Sequence, residues 1–337
     1  MKLHNTVFVI SMILFLNTAN AQNNCRPLEK VMRGYTPVTV PDITQPGEYC
    51  LTHDIKVPRM YVFSEGGERS ATGSVMLDIR TSDVVLDLHG FVMSAEVLGM
   101  PGIRVWGDKE VPSRITIRHG SIKSRTDSAI LLNAPEASLL SDFKAMYDSP
   151  QTIGMAENEF QKFLKKLPPS ASAYQKTENV VERLYIESGS TIANYSGFFR
   201  KAIGMDGAAN IIRNSTIEIT DGHAAIYLFG PNQLIENNII IFKGKAAVES
   251  AAAIKLHQAD RTIIRNNDII IESMGDEAPK AAISLIDSKD VVIENNRIYG
   301  INTLVKNWDD KSNSIEKNNE FRSLFRRPLT IGEPGVH

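Results

Sequence analysis

The sequence predicts an all-β solenoid, a stack of short coils, and three observations carry that prediction. Ile-Ile-Arg-Asn-Asn-Asp-Ile-Ile-Ile, starting at Ile263, is answered by Val-Ile-Glu-Asn-Asn-Arg-Ile-Tyr ending at Tyr299, so that Asn295 repeats Asn266 one period later. Each copy follows a second apolar pulse, Ala252-Ala253-Ile254-Lys255-Leu256 and Ala281-Ala282-Ile283-Ser284-Leu285, at the same spacing. The runs are too brief for helices and hold no heptads or paired cysteines, so two strand-like runs per period read as β coils.

The elements follow in chain order. Residues 1–21 read as a secretory signal peptide: Lys2, then the apolar run Val7–Leu16, then Ala19-Asn20-Ala21. The run is too short to span a bilayer and no later window is longer, so no membrane insertion of the mature chain is expected. An exported protein, periplasmic or secreted, follows. The formal charge of −2 gives no support to nucleic-acid binding, which needs a basic excess. The only two cysteines, Cys25 and Cys50, are expected to pair in an oxidising compartment.

Residues 22–42 form an expected N-terminal cap, with a short helix over 25–34 suggested by Pro27 near its start and Gly34 at its end. The solenoid domain spans 43–320. Its early strands are Gly47–Ile55 and Val84–Gly90. A turn column then reads His119, Ser188, Asn214, Asn237, Asn266, Asn295 and Asn318, preceded by Arg118, Glu187, Arg213, Glu236, Arg265, Glu294 and Lys317. The sign alternates throughout, so stacked neighbours attract and a slipped register would put like charges together. The asparagines tolerate tight-turn dihedrals and can bond their own kind up the stack.

One interval, from His119 to Ser188, is more than twice as long as any other in the column and too long for a coil. Helical apolar spacing over 135–167 and the linker Pro168-Pro169-Ser170-Ala171-Ser172 place a helical insertion at about 135–178. Its two readings are a cover over a binding site and a lateral brace or oligomer contact. Residues 321–337 lack the repeat and read as a C-terminal cap or tail.

Coils of this length with an Ile-x-Asn-Asn turn, the segment Gly-x-Tyr-x-Leu-x-x-Asp-Ile and the run Val84-Val85-Leu86-Asp87-Leu88-His89-Gly90 resemble the right-handed parallel β-helix proteins. These are the pectate-lyase-like superfamily, and the resemblance is closest to its carbohydrate-binding and sugar-hydrolase-type repeat branch. The resemblance implies a right-handed parallel β-helix over roughly 43–320. It matches no specific member. Asp-Pro-His of the mannuronan epimerases and Arg-x-Pro-x-x-Arg of the pectate lyases are missing. Of the polygalacturonase set the chain carries Gly204-Met205-Asp206, Gly222-His223-Ala224 and Ala253-Ile254-Lys255 without the Asp-Asp pair, whereas inverting hydrolysis needs two carboxylates about a water.

The family binds substrate on the outer face of the first sheet, which the repeat allows us to write out. Inward positions are Ile103, Ile130, Ile203, Ile226, Ile254 and Ile283. The next outward row is Arg104, Leu131, Gly204, Tyr227, Lys255 and Ser284, and two residues further along come Trp106, Asn133, Asp206, Phe229, His257 and Ile286. On the other flank lie Met100, Asp127, Arg200, His223, Ala251 and Lys280, with a column of Gly or Ala between. His257, Lys255, Tyr227, His223 and Asp206 are the candidate catalytic residues. Arg104, Trp106, Arg200 and Phe229 are the candidate substrate-binding ones. Aromatics stack on sugar rings, cations neutralise uronate carboxylates, and His, Lys or Tyr move protons.

The expected activity is therefore lyase or C5-epimerase chemistry on an acidic polysaccharide or other glycan. The alternatives are a non-catalytic glycan-binding or surface module and a periplasmic metal-maturation factor. His89, His119 and Asp87 read as structural. No cofactor is expected; a Ca²⁺ site would need converging carboxylates, for which only Asp127 with Asp206 offers itself. Oligomeric state is left open.

Overall fold

The computed structural model describes residues 25–29, 42–57, 75–95, 101–107, 110–125, 128–133, 174–189, 200–273 and 275–323. The expected signal peptide, Asp127, the helices expected within 135–167 and the tail beyond 323 lie outside the described residues. Among the described residues no helix is long and apolar enough to cross a membrane.

Each complete coil carries three strands rather than the two anticipated. The repeat Ile263–Ile271, for example, is two strands, Ile263–Arg265 and Asp268–Ile271, broken at Asn266. Asn266 sits at φ 56°, the left-handed region that a short polar side chain tolerates. His89, His119, Arg183, Asn214, Asn237, Asn295 and Asn318 repeat that conformation one coil after another, with φ between 49° and 56°. Each turns the chain through a corner without leaving the stack. Among the described residues the flanks of these corners form a seventeen-stranded sheet, and the pulses such as Ala252–His257 form an eight-stranded one. Every strand pairing among the described residues is parallel and joins one coil to the next, as in Ile254↔Ile283 and Lys255↔Ser284.

The corner corrects one register assignment. Glu182 stacks between Arg118 and Arg213, and Arg183, not Ser188, takes the positive φ. Glu187 and Ser188 lie further along in the same strand, Val180–Gly189, and Ser188 is buried. The alternation survives with the right residue. Asp87, Arg118, Glu182, Arg213, Glu236, Arg265, Glu294 and Lys317 follow one another by register.

Each arginine in this column reaches back to the acid of the preceding coil. Arg118 Nε lies 2.8 Å from Asp87 Oδ2, and Arg213 and Arg265 lie 2.7 Å from Glu182 and Glu236. Asp87 also accepts from the His89 amide at 2.9 Å and holds His119 Nδ1 at 3.1 Å, so the structural reading of these three residues agrees with their geometry.

The two asparagines of each pair divide their work. The first makes the corner; the second, Asn238, Asn267, Asn296 or Asn319, faces inward and builds an amide ladder. Asn238 Nδ2 donates to Asn267 Oδ1 at 3.1 Å, Asn267 to Asn296 at 3.0 Å, and Asn296 to Asn319 at 3.0 Å. Their second Nδ2 hydrogens satisfy the carbonyls of Ile212, Ile235 and Ile264. Inside the tube one isoleucine, leucine or valine stacks on the next, giving a single continuous core.

The N-terminus departs from expectation. Arg26–Leu28 is a strand, not the first turn of a capping helix, and pairs with Tyr49–Leu51. Cys25 and Cys50 form a disulfide with Cα atoms 5.7 Å apart. Pairing and cross-link together hold the segment against the first coil, overriding its helical propensity. At the other end the ladder continues past Glu320, with Phe321 paired to Ile298 and 49% exposed.

Candidate functional site

The site is built on three adjacent strands of the eight-stranded sheet, Lys201–Asp206, Ala224–Phe229 and Ala252–His257. Parallel in-register pairing sets Gly204, Tyr227 and Lys255 in one row and Asp206, Phe229 and His257 in the next, as the repeat implied. Alternation keeps Ile203, Ile226 and Ile254 in the core and turns these rows away from it.

Facing away from the core does not make the row open. Tyr227 is 0% exposed and Lys255 1%, and His223, Asp206 and Arg200 are buried as well. These five residues, expected on a substrate-binding outer face, are thus covered rather than exposed on it. Long side chains from neighbouring coils pack on one another, burying methylene stems and ring faces. Lys201 Nζ sits 4.3 Å and Lys255 Nζ 5.7 Å from the Tyr227 ring centroid, and the His223 ring stacks on Tyr227 at 5.5 Å. His257 and Phe229 remain partly exposed and meet edge to face at 5.1 Å.

Three hydrogen-bonded contacts organise the cluster. Tyr227 Oη lies 3.2 Å from His257 Nδ1. Lys255 Nζ lies 2.5 Å from His223 Nε2 and 2.8 Å from Ser250 Oγ. Burial, then the charges of Lys255 and Lys201, holds His223 well below the ordinary imidazole value. His223 is therefore neutral and accepts from Lys255 through Nε2, which makes it a fixed acceptor rather than a proton carrier. Arg200 donates to the carbonyls of Thr220 and Asp221 at 3.1 and 3.0 Å, a backbone clamp at the flank of the cluster.

Arg104 and Trp106 belong elsewhere on the sheet. The strand Ile103–Val105 pairs with Ile130–Leu132, which in turn pairs with Lys201–Asp206, so Arg104 stands four strand spacings, about 19 Å, from Lys255. Its guanidinium forks onto Asp78 at 2.8 and 2.9 Å. The Trp106 ring carries both Arg80 and Arg104, at 4.8 and 4.9 Å. These contacts already use the groups that were expected to receive a sugar.

Four residues of the face were missed. Lys306 pairs with Ser284 and so extends the Tyr227–Lys255 row, and Trp308 follows beside Ile286, its Nε1 donating to Ser284 Oγ at 3.1 Å. Counting one more coil beyond Ile286 would have found both. By count Lys201 shares the parity of inward Ile203, although its side chain lies against Gly204 and Tyr227 on the outer face, and Ser250 lies in the turn before the strand, so neither gave a periodic signal. Among the described residues the only metal-spaced group is Cys25, Cys50 and His89, and its two sulfurs are joined in the disulfide.

A family profile described as a right handed beta helix region matches residues 173–325. This chain is a right-handed parallel β-helix. No curated protein matches the sequence. Among solved structures the β-helix is similar to the enzymatically active domain of tailspike protein 2 of bacteriophage CBA120, at 11% identity and a TM-score of 0.45. That alignment covers 84% of this chain but only 38% of the tailspike domain. It is also similar to the A-module of the Azotobacter vinelandii mannuronan C-5 epimerase AlgE4, at 11% identity and a TM-score of 0.29, covering 85% of this chain and 90% of that one. The Streptococcus pneumoniae surface protein and adhesin PfbA aligns over 84% of this chain and 80% of its own, at 10% identity and a TM-score of 0.25.

Proposed function

We propose that this β-helix is an exported protein acting on an acidic polysaccharide by lyase or C5-epimerase chemistry, in which the proton beside a uronate carboxylate is abstracted. The observation that carries the reading is the Tyr227–His257 hydrogen bond, with the amines of Lys201 and Lys255 lying over the same tyrosine ring. A uronate C5 proton becomes acidic only when its carboxylate is neutralised, and a nearby ammonium does this electrostatically. His257, partly exposed, is the acid or base that meets the sugar, and Tyr227 behind it relays or holds the proton. Phe229 presents its ring beside His257 for stacking. The Cys25–Cys50 disulfide and the leader-like residues 1–21 support export.

One observation favours a second reading, a non-catalytic glycan-binding or surface module: Tyr227, Lys255 and His223 are buried, which suits scaffolding better than turnover. Incubating the protein with alginate, pectate and glycosaminoglycans separates the two. Lyase activity raises ultraviolet absorbance as unsaturated ends form, and epimerisation changes the product's NMR spectrum without cleaving it. His257→Ala is expected to cut either rate at least about 100-fold, the lower end for removing a general acid or base. Glycan binding with no product in wild type would establish the module instead.

A further inference from the structure

Ser250 plays no part in proton abstraction from a sugar, yet its position is that of a nucleophile. Its Oγ is 2.8 Å from Lys255 Nζ, and that nitrogen is 2.5 Å from His223 Nε2. We propose that Ser250 and Lys255 are a nucleophile and its base, with His223 as positioning residue, giving this protein a hydrolase activity on carboxylic esters whose natural substrates are O-acylated glycans. The glycan half rests on the reading above; the Ser250–Lys255 pair stands on its own geometry.

A serine hydroxyl is a weak nucleophile until a base at hydrogen-bond distance takes its proton. An amine has one lone pair and can serve only if it is held with that pair toward the hydroxyl. His223 does the holding. Being neutral, its Nε2 accepts an N–H from Lys255 whether the amine is –NH₂ or –NH₃⁺, so Nζ stays in place through the cycle. Burial is distributed as this role requires: Lys255 is 1% exposed, whereas Ser250 keeps partial exposure. A buried lysine is the kind that acts as a base, because the interior disfavours its charged form.

The steps balance with water as the only co-reactant. Ser250 Oγ bonds to the acyl carbon while its proton passes to Lys255 Nζ. The sugar C–O oxygen leaves with its bonding electrons and takes that proton, giving acyl-Ser250 and a free alcohol. Water then attacks the acyl carbon, its proton going to Nζ; Ser250 Oγ departs and recovers the proton, and the carboxylic acid is released.

A merely structural Ser250–Lys255 contact predicts no chemistry, so the test reads reactivity. The full-length protein is treated with an alkyl fluorophosphonate, whose phosphorus is captured by an activated serine, and the adduct is located by peptide mass mapping. The expected result is one adduct on Ser250, formed faster as pH rises and Lys255 sheds its proton. Ser250→Ala removes it. Lys255→Met and Lys255→Arg both reduce labelling to background, the arginine keeping the charge but unable to act as base, with circular dichroism confirming folded proteins. His223→Gln slows labelling without moving it, and by less than the roughly 100-fold at which loss of a general acid or base begins, as a positioning role requires. No adduct on Ser250 in folded wild type, or undiminished labelling in Lys255→Arg, overturns the proposal. Release of p-nitrophenol from p-nitrophenyl acetate with no acylated polysaccharide altered would leave the pair standing and sink the glycan half. Polysaccharide cleavage with Ser250 unlabelled would do the reverse.

Discussion

Asn266 and Asn267 are the same residue side by side, and the structure assigns them different fates on substitution. Asn267 is 1% exposed, and its side chain is bonded at both ends. Its Oδ1 accepts from the Asn238 amide at 2.9 Å and from Asn238 Nδ2 at 3.1 Å, and its Nδ2 donates to Ile235 O and Asn296 Oδ1, both at 3.0 Å. Asn267→Ala strands the Asn238 amide and removes the side-chain donor to Ile235 O, in a place water does not reach. At about 1–3 kcal/mol for each buried group left unsatisfied, the loss is about 3 kcal/mol. Asn266 makes the exposed corner at φ 56°, so Asn266→Ala loses only the tolerance for that conformation, about 1 kcal/mol, and Asn266→Gly loses almost nothing. Urea unfolding followed by circular dichroism measures all three, with an unchanged slope showing that the change is one of stability. Equal losses at the two positions, or a larger loss at 266, would refute the division of labour between corner and ladder.

Gly120→Ala places a Cβ 2.4 Å from Leu88 Cβ and 2.7 Å from Phe91 O, and is expected to cost about 1–3 kcal/mol in the same urea assay. Replacing Cys25 and Cys50 by alanine should lower stability by about 3 kcal/mol through the lost loop constraint, read as a lower thermal midpoint that no longer responds to reductant. At Asp87 burial raises the carboxyl pKa, but hydrogen bonds from the His89 amide, His119 and Arg118 outweigh it and the net shift is downward. Its contribution is therefore present above the unfolded carboxylate value and is lost as pH falls through the folded one. Asp87→Asn should be less stable than wild type near neutrality, with the two curves converging in the acid range.

Much of the stack was legible because parallel strands in register convert a sequence period directly into a column. Ile254 over Ile283 and Tyr227 beside Lys255 follow from counting alone. Counting failed at one corner, Arg183, where the residue was neither asparagine nor histidine. In Val180–Gly189 the strand runs on through the corner at Arg183, so a displacement along it to Ser188 looked equally regular. The third strand of each coil was hidden for a related reason, since Asn266 interrupts the run by one dihedral and leaves its apolar character intact. The segment at Arg26–Leu28 reads locally as helix, and only its distant partner Tyr49–Leu51 makes it a strand. For the site, the period gave the column of each side chain but not what packs over it. Lys255 and His257 look alike in the text, yet one is buried and the other is not. Ser250 lies outside the period altogether and became visible only through its distance to Lys255.

The backward-reaching arginines give the stack a parity. Because each cation closes on the acid of the coil before it, coils come in twos: Asp87 with Arg118, Glu182 with Arg213, Glu236 with Arg265. Excising a single coil, for instance Arg265–Ile293, would bring Glu236 directly under Glu294, two like charges at the junction, and take away the arginine that closes on Glu236. Removing two coils would restore the match. The indivisible unit of length in this molecule is thus the coil pair, and gains or losses of repeats that preserve the column must come in even numbers.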